Sequence, residues 1–248
     1  MKNFLSVAKI LKTKQIDIAF LLHSNEPQAT PLAVLSGAKY IFKLPNLKND
    51  FNKFHSNPPT PYREPRYVVL NRLEQLKFVG INSFDTRMEL FLQDSSFENV
   101  DRVLNRKKDE KIVGFQMGAS TISRQWFKER WIELAKLLLN HDNFKIVLTG
   151  NQAERVLTEE FCKFFDVELK KKRILNFAGF FDIVEACQLI GKLDVLVTPD
   201  TGPLHVAAAL KTPTVALFAA SEPINSNPDF DVGIHKFIKQ PHTCEPCI

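Results

Sequence analysis

Apolar residues in the second half of the chain come in short unbroken runs, and between the runs they switch to a helical spacing. KIVGFQM (111–117), FKIVLTG (144–150), ILNFAG (174–179), DVLVTP (194–199) and TVALFAA (214–220) have strand length and strand composition. FKERWIELAKLLLNH (127–141) places Trp131, Leu134, Ala135 and Leu138 at i, i+3, i+4 and i+7, the stripe of an amphipathic helix. QAERVLTEEFCKFF (152–165), DIVEACQLIGKL (182–193) and the stretch from Gly202 read as further helices. Continuously apolar strands alternating with helices predict a parallel sheet covered on both faces.

The first half is similar in kind and less regular. IDIAFLL (16–22) and YIFKLP (40–45) read as strands around a helix at PLAVLSGA (31–38). RYVVLNRLEQLKFVG (66–80) reads as a helix and RMELFL (87–92) as a last strand, and HSNPPTPYREP (55–65) is a proline-rich loop. The segment 95–111 opens on a cap-like serine and ends in charges, which places an interdomain linker near Arg106–Glu110. The expected division is therefore 1–105 and 106–248. Seven of the nine glycines follow it, so the tight turns that could cradle a phosphate lie in the second part.

Composition adds limits. With 44% hydrophobic and 25% charged residues the chain is an ordinary globular one, and no run reaches the length of a membrane span. MKNFLSVAKILKTKQ (1–15) lacks the apolar core and small-residue end of a secretory signal, and four cysteines are too few for a disulfide scaffold; a reducing cytoplasm is expected. The net charge of +5 suits anionic partners. No RNA- or DNA-binding pattern accompanies it, so nucleic acid is not an expected partner. The basic cluster Lys170–Arg173 reads as a helix C-terminus favoured by the dipole.

In an open parallel sheet, ligands bind beyond the carboxyl ends of the strands. Two loops are expected there: GASTISRQW (118–126) and PDTGPLH (199–205). Pro203 suits a first helical turn, and Gly202 allows close backbone approach. Asp200 or Thr201 either caps this helix, or the free N–H groups and the dipole hold a phosphate. His205 reads as a partly buried helix histidine, Arg124 as a surface arginine, and Trp126 and Trp131 as core. Cys162 and Cys187 read as small apolar helix residues. Cys244 and Cys247 form a C-x-x-C without a second pair, so no metal is expected.

GAS…RQWFKERWIELAKLL followed by DTGPLHVAAALKTPTVALF and CEPC resembles the glycosyltransferase family that contains the ADP-heptose:lipopolysaccharide heptosyltransferases. The likeness runs from about Gly114 to Cys247 and is looser over 15–105. It implies an α/β fold of GT-B type, two Rossmann-like domains with parallel sheets, the N-terminal one incomplete. It further implies that Thr201 and Gly202 bind the diphosphate of a sugar nucleotide, that Asp200 shapes the loop, and that His205 points toward the site. Gly118, Ala119 and Ser120 would line the nucleotide cleft. Arg124 would stand where the family often has a phosphate-binding lysine.

Two family features are not found. The N-terminal strand and G-D loop that carry the family's catalytic base have no counterpart here: Gly37 and Gly80 are followed by Ala38 and Ile81, so the catalytic residue is unassigned. The family's acidic residue for the ribose falls near the helix at 182, where Val184 stands between Asp182 and Glu185. The function implied is inverting, metal-independent transfer of a heptose from an ADP-sugar to a lipopolysaccharide core acceptor. It would take place in the cytoplasm at the inner-membrane surface, with no cofactor beyond the donor. The alternative is an inactive nucleotide-sugar-binding fragment or one part of a split transferase; a sugar-nucleotide epimerase would want further acidic and histidine residues that the chain does not place.

Overall fold

The computed structural model describes residues 2–22, 27–44, 51–59, 65–92, 97–228 and 230–239. They divide into two compact units, Met1–Thr86 and Arg87–Ile248. Cys244 and Cys247 lie outside the described residues.

The first unit opens with helix α1 (Lys2–Lys12), continues through strand β1 (Ile18–Leu21), helix α2 (Ala29–Leu35) and strand β2 (Tyr40–Lys43), and ends with helix α3 (Val68–Leu73) running into a 3-10 turn over Glu74–Val79. Strands β1 and β2 pair in parallel, Ile18 opposite Tyr40, as a βαβ crossover requires. Phe20, Phe42 and Phe78 stack in succession, with centroids 5.5 and 5.1 Å apart. The far side of β2 is satisfied by a loop. The Ser56 amide donates to the Ile41 carbonyl, and the Asn57 side-chain amide exchanges two hydrogen bonds of 3.0 Å with the Lys43 backbone, standing in for a neighbouring strand. The helix expected from 66 is thus in two parts. The strand expected at 87–92 is absent: no ladder pairs with it, and Phe91 is 87% exposed.

The second unit contains helix α4 (Phe97–Leu104), β3 (Lys111–Gln116), α5 (Lys128–Leu139), β4 (Phe144–Thr149), α6 (Arg155–Cys162), α7 (Asp166–Lys170), β5 (Ile174–Asn176), α8 (Ile183–Gly191), β6 (Val195–Pro199), α9 (Gly202–Ala209), β7 (Thr214–Phe218), α10 (Pro223–Ser226) and β8 (His235–Lys239). The strands are all parallel in the order β5-β4-β3-β6-β7-β8. The chain starts in the middle, builds outward through β4 and β5, then returns to the other side of β3. The reversal falls between β3 and β6.

Both faces are covered, which is why the strands read as unbroken apolar runs. Val113, Phe115, Ile146 and Leu148 turn to the face packed by Trp131, Phe161 and Phe165. Ile112, Val147 and Leu196 turn to the face packed by α4, α8 and α9. On that second face a Cβ at Gly114 would lie 2.3 Å from Leu193, so the strand admits the α8 end only because glycine stands there. Val100 and Leu104 of α4 are buried in the same cluster. The boundary between units therefore precedes α4, earlier than the charged stretch at 106–110 suggested. Lys145 of β4 is 5% exposed; its ammonium pairs with Glu110 at 2.7 Å and donates to the Leu104 carbonyl at 3.0 Å, closing the base of the sheet.

Candidate functional site

A cavity of about 520 Å³ opens at the carboxyl ends of β3, β4, β5 and β6, at the reversal of strand order. Ala119, Ser120, Arg124, Thr201 and Gly202, expected from the sequence, line it. Gly118, Asp200 and His205 do not, although the first two act beside it.

The start of α9 forms one wall. Thr201 is the N-cap residue with extended backbone, and Pro203 sits in the first turn. No side chain caps the helix. The Thr201 hydroxyl lies instead 3.2 Å from that of Thr198 and donates to the Pro199 carbonyl at 3.4 Å. A capping role for Asp200 or Thr201 is therefore not what the structure contains. The helix presents its positive end to the cavity without a side-chain acceptor, the arrangement that favours an anion. Gly202 is not held as glycine by its fold, since a Cβ there would meet nothing within 4 Å. The space it leaves belongs to the cavity.

Arg124 faces this helix end. It stands in a short 3-10 turn, Ile122–Arg124, after β3. Its Nη1 donates to the Asp200 carbonyl at 3.4 Å and lies 3.9 Å from the Asp200 carboxylate. Asp200 is 7% exposed. The buried acid thus anchors the guanidinium beside Thr201 and Gly202. His205, one turn into α9, is partly buried, as a helix histidine would be.

Sequence reasoning missed the opposite wall. Glu154 lines the cavity four residues after Gly150. Its Oε1 accepts from the Gln116 amide at 3.2 Å, and its Oε2 accepts from the Asn151 N–H at 2.8 Å. Two glycines make room for it. A Cβ at Gly118 would lie 2.0 Å from Oε1, and Gly150 has φ +147°, with Oε2 3.0 Å from its Cβ position. Gly118 is therefore needed for the acid rather than as a lining group. The signal was available as glycines ending two neighbouring strands with an acid just beyond the second.

At the helix expected to carry the ribose-binding acid, Asp182 is occupied. Its carboxylate accepts from the Glu185 N–H at 2.8 Å and Glu185 returns the bond, a complete capping box on α8. Val184 is 44% exposed and outside the lining. The wall there is formed by Phe177, Phe181, Ile183 and Ala186, with the capping Asp182 among them. The cavity thus has a helix N-terminus with an arginine at one end, an acid at its side and a largely apolar far end.

The tryptophans and the two described cysteines belong to the packing of the sheet and its helices. Trp131 is fully buried against Phe115, and Trp126 packs on it at 5.2 Å. Burial pushes the Cys162 thiol up to about 11 and raises Cys187 as well, so both are inert helix residues. Among the described residues, no three His, Cys, Asp or Glu side chains converge as a metal site would require, and no helix is long and apolar enough to cross a membrane.

A six-stranded parallel sheet with its crevice at the strand reversal is a Rossmann-like architecture, and together with the first parallel-sheet unit it defines a GT-B-type α/β protein. Residues 61–235 match glycosyltransferase family 9 (heptosyltransferase), and the chain belongs to that family. It is 24% identical over 92% of its length to the lipopolysaccharide core heptosyltransferase OpsX of Haemophilus influenzae, and spans 64% of that relative. It is 32% identical to lipopolysaccharide heptosyltransferase 2 of Escherichia coli over 46% of its length and 33% of the relative. Among solved structures, E. coli ADP-heptose lps heptosyltransferase II superposes with a TM-score of 0.75 at 22% identity, covering 96% of this chain and 72% of that one. A family 9 glycosyl transferase from Veillonella parvula gives 0.78 at 17% identity, covering 97% and 68%.

Proposed function

We propose that the second unit binds the diphosphate of an ADP-sugar, and that the chain serves transfer of a heptose from that donor to a hydroxyl of a lipopolysaccharide core acceptor. The observation that carries this reading is the uncapped start of α9 opening into the cavity with Arg124 anchored beside it. A glycosyl diphosphate departs as a nucleoside diphosphate, so the barrier falls when positive charge is already arranged around the departing oxygens. The N–H groups of the first turn and the guanidinium supply that charge without reorganisation. This is the physical basis for a metal-independent displacement, and attack from the face opposite the leaving diphosphate gives inversion.

The rest of the donor follows the shape of the cavity. With the diphosphate at Thr201 and Gly202, the adenosine extends toward β4 and β5. The ribose reaches Glu154, a carboxylate at the end of the second strand, where dinucleotide-binding sheets place a ribose acceptor. The base meets Phe177, Phe181 and Ile183, apolar surface suited to a purine face. The acceptor is a lipid, which brings the protein to the inner-membrane surface.

Calorimetric titration of ADP and UDP into the protein and its Gly202→Val variant tests this. ADP should bind the wild type and fail to bind the variant, whose added side chain enters open cavity and leaves the unfolding temperature unchanged. Equal binding to both proteins overturns the reading, as does the absence of ADP binding to the wild type.

A further inference from the structure

We propose that Gln116 is the positioning residue through which this site tells a ribonucleotide from a 2′-deoxyribonucleotide; the proposal rests on the donor-site reading above. Gln116 ends β3 and is 3% exposed, an unusual place for a carboxamide in a strand that is otherwise apolar beyond its first residue. Both ends of its amide have partners. The amide nitrogen donates to the Gly118 carbonyl and to Glu154 Oε1, each at 3.2 Å, and the amide oxygen accepts from the Thr149 hydroxyl at 2.8 Å.

Only one orientation of the amide satisfies these partners. Turned over, its oxygen would face a carbonyl and a carboxylate, two acceptors, and its nitrogen would face the hydroxyl. Thr149 is itself buried on β4, the strand in register with β3, with Thr149 opposite Gln116. The chain Thr149–Gln116–Glu154 therefore lies along the cavity, which all three residues line, and fixes the final torsion of the carboxylate.

The consequence lies in how Glu154 meets a ligand. One oxygen is held by Gln116 and the other by the Asn151 N–H, and each keeps a lone pair for the cavity. Two neighbouring acceptors in fixed orientation match two vicinal hydroxyls, the 2′ and 3′ groups of a ribose. Free to rotate, the same carboxylate could still accept one hydroxyl but would no longer reward the pair. Gln116 thus governs the part of the affinity that depends on the 2′-hydroxyl, and leaves the diphosphate and base contacts alone.

The test is calorimetric binding of ADP and 2′-deoxy-ADP to the full chain, wild type beside Gln116→Leu, Thr149→Val and Thr149→Ser, with thermal unfolding of each. The wild type should favour ADP by at least about tenfold, the worth of a hydrogen bond to a charged group. Gln116→Leu should bring the two ligands within about threefold by weakening ADP while 2′-deoxy-ADP is unchanged. Thr149→Val should do so in part, and Thr149→Ser, which keeps the hydroxyl, should retain the wild-type ratio. If Gln116→Leu and Thr149→Val keep the ratio, or weaken both ligands equally, the residues are merely structural and the proposal falls. A wild type that binds both ligands alike overturns the proposal and leaves the donor-site reading standing. A wild type that binds neither removes the donor-site reading, and the proposal with it.

Discussion

The first unit pairs two strands of four residues, and β1 leaves every position at least partly exposed; the second aligns six strands, and β3 buries all but its first residue. Both are parallel βα constructions. The difference is one of how many neighbours each strand has. A strand buried on both faces needs helices above and below and strands on either side. In the second unit β3 has all four. In the first, among the described residues, the far edge of β2 is closed by Ser56 and Asn57 rather than by a strand. A crevice for ligand arises where strand order reverses, which requires strands on both sides of the first one. Two strands have no reversal. That is why every residue of the candidate donor site falls in the second unit.

The comparison predicts where substitutions hurt most. Trp131→Ala should cost the second unit about 4 kcal/mol, because the indole is fully buried against Phe115 and Trp126. Hydrogen exchange should show the loss through β3 and β4 while protection at residues 18–21 is unchanged; matching loss in β1 would mean the units unfold as one. Lys145→Met should cost about 3 kcal/mol in urea titration, since it strands the largely buried Glu110 carboxylate, and adding Glu110→Leu should recover most of it.

Smaller effects sharpen the functional side. Gly118→Ala should weaken ADP about tenfold, about 1.4 kcal/mol, by displacing Glu154, with little change in unfolding temperature. Arg124→Ala should weaken ADP by about fivefold and flatten the salt dependence of binding, because the side chain is 41% exposed and only one contributor among several.

The smallest effect is shared by the units. Burial lowers the pKa of His235 against a raising influence of Asp231, and burial together with Lys43 lowers that of His55. A histidine depressed in the fold contributes stability that is fully present above its unfolded value, about 6.5, and is lost as pH falls toward the folded value. His235 also holds a buried Nε2 without a partner, where a second proton is unwelcome. Thermal unfolding followed downward from pH 7.5 should show a mild acid-side decline, reduced in the second unit by His235→Leu and in the first by His55→Asn.

Most of the second unit was legible because its strands are buried on both faces and its helices on one. β8, HKFIK, escaped because an edge strand with three exposed positions carries no such run. RMELFL had strand-like residues and no partner to pair with. The boundary was misplaced because charges follow α4, whereas the burial of Val100 and Leu104 decides where the helix belongs. At the site, Thr201 and Gly202 were readable from loop chemistry after a strand, and Arg124 from the family resemblance. Glu154 was not, since an acid at the start of a helix is commonplace in sequence. What distinguishes it is spatial: Gly118, Gly150 and Gln116 converge on it from two strands.

The central position of β3 also dictates the order in which this protein can be assembled. Its two neighbours are β4, which begins 33 residues after it in the register Lys111 to Phe144, and β6, paired through Val113 and Val195 some 82 residues away. A ribosome delivers β3, β4 and β5 first, and that half-sheet exposes an entire edge of β3 until β6 and α9 arrive. The α9 end of the cavity then forms in a single late event, the closing of a long loop whose entropy must be offset at once. A nucleotide that recognises the finished crevice would hold the chain once that event is complete, so ADP should raise the yield of native protein recovered from urea while leaving the folding rate unchanged.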